Sequence, residues 1–403
     1  MTRPRILFVD DEPQALRGLQ RVLRGSRVDW DLEFAQAASE ALQVLDLRPV
    51  DVIVTDMRMP GTDGATLLEQ VRAKHPTVIR MVLSGQSGRE EALRAAAAAH
   101  QYMSKPCDAA QLRARIEAAL ASRELLSCGD LQGLVGRLNC LPSLPALYFQ
   151  VLRELGAPNP SIDRIAQIVE CDVAMTAKLL QLVNSAFFSL QAHVTSPQRA
   201  LQLLGLDAVR SLVLTAHVFD AFKPACEGFD GAEFWRHSAD TGRLALQVFD
   251  DIGGPPDSRS DSFTAGLLHD VGKLVLATAL PEEYAAVVAE ARQLSLPDRV
   301  VEARLLGATH AELGGFLLSL WGVPQPVVAA VWRHHEPRLA SDPRHPVLMA
   351  THVANAIDRR GTPLGAAFLD VEALSAIGLD VMVSRWFEGQ DEEAASVQAA
   401  RPA

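Results

Sequence analysis

The sequence predicts two architectures in series: an α/β domain built on a doubly wound, parallel five-stranded sheet, followed by an all-helical (all-α) bundle. Three observations carry this. Short apolar runs that end in polar or charged residues alternate with helical patterning over roughly the first 120 residues. From residue 133 onward the patterning is almost unbroken helix, and strand signals are sparse from there to the C-terminus.

The central run is VDVIVTDMRMPGTDG, residues 50–64. Val50, Val52, Ile53 and Val54 read as a strand buried on both faces, as in a parallel sheet covered by helices. The strand ends in Asp56, and ligands of such sheets sit beyond the carboxyl ends of the strands. Pro60, Gly61 and Gly64 supply a tight loop before a helix that begins at about Ala65. The run 6–9 ends in Asp10 and Asp11, the run 78–83 in Ser84 and Gly85, and the segment 101–103 in Ser104 and Lys105, with a helix over 13–23 in between. If these strand ends are neighbours, three carboxylates converge. Such a group suits Mg²⁺, which prefers hard oxygen ligands and leaves positions for phosphate oxygens. An exposed carboxylate on a rigid platform can act as a nucleophile toward phosphorus.

In the order of these strand-end residues, residues 1–122 resemble the receiver domain of two-component response regulators, a flavodoxin-like fold. The resemblance implies that Asp56 is the phosphoacceptor. It also implies that Asp10, Asp11, Asp56 and the main-chain carbonyl of Arg58 hold Mg²⁺, and that Ser84, Tyr102 and Lys105 are the switch and phosphate-contacting residues. A cognate histidine kinase or phosphotransfer protein is the implied donor.

Whole-chain numbers fit several domains: 403 residues with 48% hydrophobic content give two or three globular cores. A formal net charge of −11 argues against an electrostatic grip on DNA or an anionic membrane, because phosphate binding needs clustered Lys and Arg. Cys107, Cys128, Cys140, Cys171 and Cys226 form no CxxC pair and suit reduced thiols. The first strand starts close to Met1, leaving no room for a signal peptide, and no apolar stretch approaches the roughly 20 residues of a membrane span. The expected location is cytoplasmic.

Residues 112, 116, 119 and 120 recur at helical spacing, so the last helix of the first domain runs on as a helical linker over 123–132. It is the one connection the sequence shows. Beyond it, Leu147, Val151, Leu152 and Leu155 share a helix face. Ser161 caps the next helix, Asp172 opens another, and Ser196 with Pro197 starts a fourth that Gly205 closes. The segments LPSLP (141–145), LLQLVNSAFF (179–188), VTSPQRALQLLGL (194–206), LLHDVGKLVL (267–276) and VWRHHEP (331–337) together resemble the HDOD domain, an output domain related to HD phosphohydrolases. The resemblance places that domain at 133–340 and implies a non-enzymatic module. A C-terminal helical extension over 341–387 and a disordered tail over 388–403 complete the expected organisation.

Chemistry is also legible in the helical half. Adjacent His269 and Asp270, with His237 on another helix, can place two imidazoles and a carboxylate on one divalent metal, and Lys273 lies one turn on, within reach of a phosphate. His310, His334 and His335 resemble the extra ligands of HD-GYP cyclic-dinucleotide phosphodiesterases. The sequence departs from the HD pattern at its last ligand, where HVANAID (352–358) has Asn355 in place of an aspartate, and it lacks the Gly-Tyr-Pro segment after the histidine pair. Three readings stay open: a vestigial hydrogen-bonded cluster, a metal-bound but non-hydrolytic site, and a working HD-type phosphohydrolase controlled by the receiver. The first is the expected one. The function that results is a phosphorylation-dependent response regulator whose helical domain binds a downstream protein partner, with homodimerisation left open and no DNA or membrane partner.

Overall fold

The computed structural model describes residues 3–25, 29–84, 98–105, 108–126, 129–138, 142–143, 145–157, 159–184, 194–206, 209, 220–221, 226–359, 369–376, 378–379, 381–382 and 386. The expected tail at 388–403 and Cys107, Cys128 and Cys140 lie outside them.

Five parallel strands form the first sheet: β1 (Arg5–Val9), β2 (Asp31–Ala35), β3 (Val52–Asp56), β4 (Ile79–Ser84) and β5 (Gln101–Ser104), in the order β2-β1-β3-β4-β5. Ile6 to Val9 and Val52 to Val54 are fully buried, as strands covered on both faces must be. Helices α1 (Pro13–Gly25), α2 (Ala38–Leu47), α3 (Gly64–Lys74) and α4 (Ala109–Leu125) follow in sequence. Because the order reverses at β1, β1 and β3 are neighbours with Val9 opposite Thr55, so Asp10 and Asp56 emerge side by side. The strand that the sequence did not locate is β2. It is an edge strand of half-buried, partly charged residues (DLEFA), whose Glu33 pairs with Arg48 at 2.5 Å.

Among the described residues the second region is helical apart from one two-residue parallel pair, β6 (Pro142–Ser143) with β7 (Asp220–Ala221). Its helices are α5 (Gly129–Arg137), α6 (Pro145–Leu155), α7 (Ile162–Val169), α8 (Val173–Asn184), α9 (Pro197–Leu204), α10 (Gly231–Asp251), α11 (Arg259–Leu268), α12 (Val271–Ala279), α13 (Pro281–Leu294), α14 (Asp298–Leu306), α15 (His310–Leu320), α16 (Gln325–Arg333), α17 (Pro346–Asp358) and α18 (Val371–Ser375). The expected caps are present: the side chains of Ser161, Asp172 and Ser196 accept from the backbone N–H groups of Arg164, Met175 and Arg199. Gly205 ends α9 at φ +75°, a conformation that favours glycine. No helix among the described residues is long and apolar enough to cross a membrane.

The chain divides into two compact units, Met1–Lys223 with Phe316–Pro324, and Pro224–Gly315 with Gln325–Ala403. Within the first unit the sheet domain is joined to helices by more than the expected linker. Arg80 of β4 is 1% exposed and donates from Nε to the Ala98 carbonyl (3.0 Å) and from Nη2 to the Gly136 carbonyl of α5 (2.7 Å). Its Nη2 also lies 2.9 Å from His100 Nε2, and burial first, with the Arg80 charge second, holds His100 well below the ordinary histidine pKa. A Cβ at Gly136 would run into the Pro76 carbonyl oxygen, so glycine is what lets α5 seat there.

Other contacts extend this join. Gln181 of α8 donates to the His100 carbonyl (3.4 Å), Gln101 of β5 donates to the Ser319 carbonyl (3.4 Å), and the Ser122 and Ser319 hydroxyls are hydrogen-bonded. The α4 helix is therefore one connection among several. Replacing Arg80 by Met keeps an apolar stem but strips donors from the buried carbonyls of Ala98 and Gly136. This is expected to cost about 1–3 kcal/mol and to lower the thermal unfolding onset of the full chain. An unchanged onset would show that Arg80 does not secure α5.

Candidate functional site

The first candidate site lies at the carboxyl ends of β1, β3 and β5. Asp10 is buried; its Oδ1 accepts from the Glu12 backbone N–H at 2.9 Å, which leaves Oδ2 to face Lys105 Nζ at 2.6 Å. The same ammonium lies 2.5 Å from Asp56 Oδ1, while Asp56 Oδ2 accepts from the Arg58 backbone N–H at 2.9 Å. One cation thus joins two carboxylates carried by adjacent strands. Burial pulls the Lys105 ammonium down, but its hydrogen bonds to Asp10 and Asp56 outweigh burial and hold its pKa above the ordinary lysine value. Asp11, two residues past β1, is half-buried.

The loop after Asp56 is built for closeness. Gly61 has φ +80°, and a Cβ at Gly64 would strike the Asp56 carbonyl oxygen. Asp63 then caps α3 by accepting from the Thr66 N–H at 2.8 Å. Ser84 ends β4 opposite Ser104, and Tyr102 lies opposite Val82 on β5; the side chains of Ser84 and Tyr102 lie outside the described residues. The carboxylate oxygens of Asp10 and Asp56 converge on one positive charge, and these hard oxygen donors fit Mg²⁺; Asp11 is not brought within a common ligand distance of them.

The second site is in the second unit, where α10, α11, α16 and α17 pack together. It brings His237, His269, Asp270, His310, His334 and His335 into one cluster. Two sets within it, His237 with His269 and Asp270, and Asp270 with His310, His334 and His335, have ligand atoms all within 4.8 Å of one another. The tautomers follow from the partners, since a ring nitrogen facing an oxygen acceptor must carry the proton. Nδ1 of His237 faces Asp358 Oδ2 (2.6 Å), and that of His269 the Gly266 carbonyl (2.7 Å). Nδ1 of His310 faces Glu302 Oε2 (2.6 Å), and that of His334 the Val331 carbonyl (2.7 Å). In the neutral rings all four Nε2 atoms then present lone pairs, and they point inward. His237 Nε2 and His269 Nε2 stand 3.0 Å apart, as do His310 Nε2 and His335 Nε2.

Burial holds the ring of His237 below the ordinary pKa, with the Arg359 charge next, and pushes His269 down to about 3. Burial would lower His310 as well, but the Glu302 and Asp270 charges reverse that and push it up to about 9. For Asp270, burial alone would raise the pKa; His269, Lys273 and His310 together hold it well below the carboxylate range. His310 Nε2 is 3.1 Å from Asp270 Oδ1, the nearest ring to that oxygen, and His334 Nε2 has no hydrogen-bond partner. Orphaned, buried lone pairs facing one another are the chemistry of a metal-ligand set.

Several placements refine the sequence reading. Lys273 Nζ binds Asp270 Oδ2 (2.9 Å) and Asp298 Oδ2 (3.3 Å), so it is engaged by carboxylates. Asn355 is buried, and its Oδ1 accepts from Arg359 Nε at 3.2 Å. The Arg359 guanidinium continues inward, its Nη2 3.1 Å from both His237 Nε2 and Asp270 Oδ2. Asp358, Arg359, Glu302 and Asp298 were not among the residues singled out in the sequence. Asp358 and Arg359 directly follow the helix face that carries Asn355, which is the one signal that could have found them.

Residues 6–117 match the response regulator receiver domain and residues 141–337 match the HDOD domain. The chain is 25% identical over 222 residues to an uncharacterized protein of Treponema pallidum (strain Nichols), a match covering 55% of this chain and 43% of that protein. It therefore spans less than half the length of that relative. It is 31% identical over 184 residues to the transcriptional regulatory protein PrrA of Mycobacterium bovis, covering 42% of this chain and 78% of PrrA. Among solved structures, the MmoQ response regulator of Methylococcus capsulatus str. Bath is 26% identical with a TM-score of 0.48, covering 62% of this chain and 98% of that one. The sheet domain with its acidic strand ends and the helical domain with its HDOD segments thus identify the chain as a member of the response regulators, with a receiver domain followed by an HDOD domain.

Proposed function

We propose that the chain is a cytoplasmic signalling protein in which Asp56 accepts a phosphoryl group and the HDOD domain answers as a non-enzymatic, protein-binding module. The observation that supports this is the convergence of Asp10 and Asp56 on Lys105 at the mouth of the sheet. A histidine kinase or phosphotransfer protein is the donor: an Asp56 carboxylate oxygen bonds to phosphorus as the P–N bond of the donor's phosphohistidine breaks. Asp10, Asp11, Asp56 and the Arg58 carbonyl would hold Mg²⁺, which would supply charge neutralisation at the phosphoryl oxygens. Lys105 turns its ammonium from the free carboxylate to the phosphoryl oxygens, Ser84 donates its hydroxyl to them, and Tyr102 follows inward. The receiver equilibrium so shifted is read by a downstream protein.

The non-hydrolytic reading of the HDOD domain draws support from Asn355. An uncharged amide stands where a carboxylate would complete a dication's shell, and the neighbouring cation is the protein's own Arg359. A metal-bound water reaches a pKa near neutrality only on a well-held dication. With Mn²⁺, Fe²⁺ or Mg²⁺ supplied, the protein is expected to turn over neither cyclic di-GMP nor nucleoside phosphates. Turnover that disappears in His269→Ala would overturn that reading.

For the receiver, acetyl phosphate with Mg²⁺ is expected to shift the protein's mobility in a phosphate-affinity gel, and the shift should vanish in Asp56→Ala or on chelation. Lys105→Ala should still label while losing the conformational response. Labelling that survives in Asp56→Ala would refute the assignment of the phosphoacceptor.

A further inference from the structure

The two halves of the HDOD cluster are in different electrostatic states. On one side, His237 and His269 aim Nε2 lone pairs at each other across 3.0 Å, an arrangement that is repulsive unless a cation sits beside it. That cation is present: Arg359 Nη2 is 3.1 Å from His237 Nε2 and 3.1 Å from Asp270 Oδ2. The guanidinium is anchored from behind by Asn355 Oδ1, and its own backbone N–H closes α17 on the Asn355 carbonyl. A planar fork of donors is well suited to meet an imidazole lone pair and a carboxylate at once.

On the other side the nearby cation Lys273 meets Asp270 at Oδ2 (2.9 Å) and leaves Oδ1 to the imidazoles, while the Arg299 charge acts on the ring of His335. Asp270 Oδ1 meets imidazole nitrogens, His310 Nε2 at 3.1 Å, His269 Nε2 at 3.5 Å and His334 Nε2 at 3.7 Å; His334 Nε2 is unpartnered, and His310 and His335 bring their Nε2 atoms to 3.0 Å. Asp270, His310 and His334 are each 1% exposed or less, so these orphaned atoms are not satisfied by bulk water. Three imidazoles and one carboxylate are a donor set for Zn²⁺, Fe²⁺ or Co²⁺ rather than for Mg²⁺.

We propose that Arg359 is a built-in monocation filling the His237/His269 half of the cluster, so that the HDOD domain holds a single divalent transition-metal ion, on Asp270, His310, His334 and His335. Asp270 is shared, with Oδ2 turned to the guanidinium and Oδ1 to the ion. The Asn355 amide belongs to the same arrangement: as a neutral acceptor it orients the guanidinium, whereas a carboxylate there would favour a second dication. The inference concerns the same cluster as the non-hydrolytic reading but stands on these contacts, and metal count and turnover report on the two separately.

The test counts Co²⁺ on the full chain after stripping and reloading, by elemental analysis and by the visible absorption of the bound ion, with folding followed by circular dichroism. Wild type is expected to hold one Co²⁺ per chain, lost in His334→Gln. Arg359→Gln is expected to hold two, the second lost when His237→Gln is added, and Arg359→Lys, which keeps the charge, to hold fewer than Arg359→Gln. Wild type holding two ions or none would overturn the proposal whatever the variants do, as would a folded Arg359→Gln that still holds one.

Discussion

The carboxylate of Asp270 is 1% exposed, and an ionised group at that depth costs several kcal/mol unless positive charge and hydrogen bonds answer it. Much of the second unit is arranged to do so. Lys273, one turn along α12, and Arg359, just past α17, share its Oδ2, while His269, His310 and His334 surround Oδ1. The helices can come this close because small residues stand at their crossings. A Cβ at Gly272 would strike the His310 carbonyl oxygen, and one at Gly266 would press on the backbone of α10 at Thr241 and Gly242. In the HDVGK segment the glycine is as much a part of the site as the histidine and aspartate.

The receiver and HDOD sites use the same electrostatic device with different consequences. Each places a side-chain cation between groups that would otherwise gather around a metal ion: Lys105 between Asp10 and Asp56, Arg359 between Asp270 and His237. Lys105 is a flexible point charge whose side chain is 33% exposed, so it can swing to a new anion without dismantling anything. Arg359 is held in three directions by Asn355, His237 and Asp270, and moving it would leave a buried carboxylate and an imidazole lone pair uncompensated. Lysine suits a site that must switch, and a triply held arginine suits one that must stay as it is.

The receiver was legible because its chemistry is written at strand ends. A strand's last residue is fixed by a two-residue period, so Asp10, Asp56 and Lys105 could be placed side by side from sequence alone once the strands were recognised as parallel neighbours. What escaped was β2, an edge strand whose half-buried charges hide the period. The helical site was legible only in part. Histidines announce themselves, and His237, His269, Asp270, His310, His334 and His335 do come together. The groups that decide their state do not stand out: Asp358, Glu302 and Arg359 are ordinary charged residues until helix packing turns them inward. The contacts among Arg80, Gly136, Gln181 and Ser319 were invisible for a related reason, since each joins segments far apart in sequence through a backbone carbonyl, which has no sequence signature.

The orientation of the imidazoles shows how secondary structure prepares the cluster. His269 is the residue after α11 and His334 the residue after α16, so each meets carbonyls of a last helical turn that lack intrahelical partners. Each ring satisfies one of them three residues back, His269 at Gly266 and His334 at Val331, and the proton on Nδ1 is thereby fixed. Nε2 is left as a lone pair directed away from the helix end, toward Asp270. For His237 and His310, which lie within α10 and at the start of α15, no such carbonyl is at hand, and carboxylates serve instead: Asp358 and Glu302, both at 2.6 Å. Burial lowers His269, His334 and, despite its carboxylate partner, His237, whereas at His310 the Glu302 and Asp270 charges outweigh burial and push the ring up to about 9.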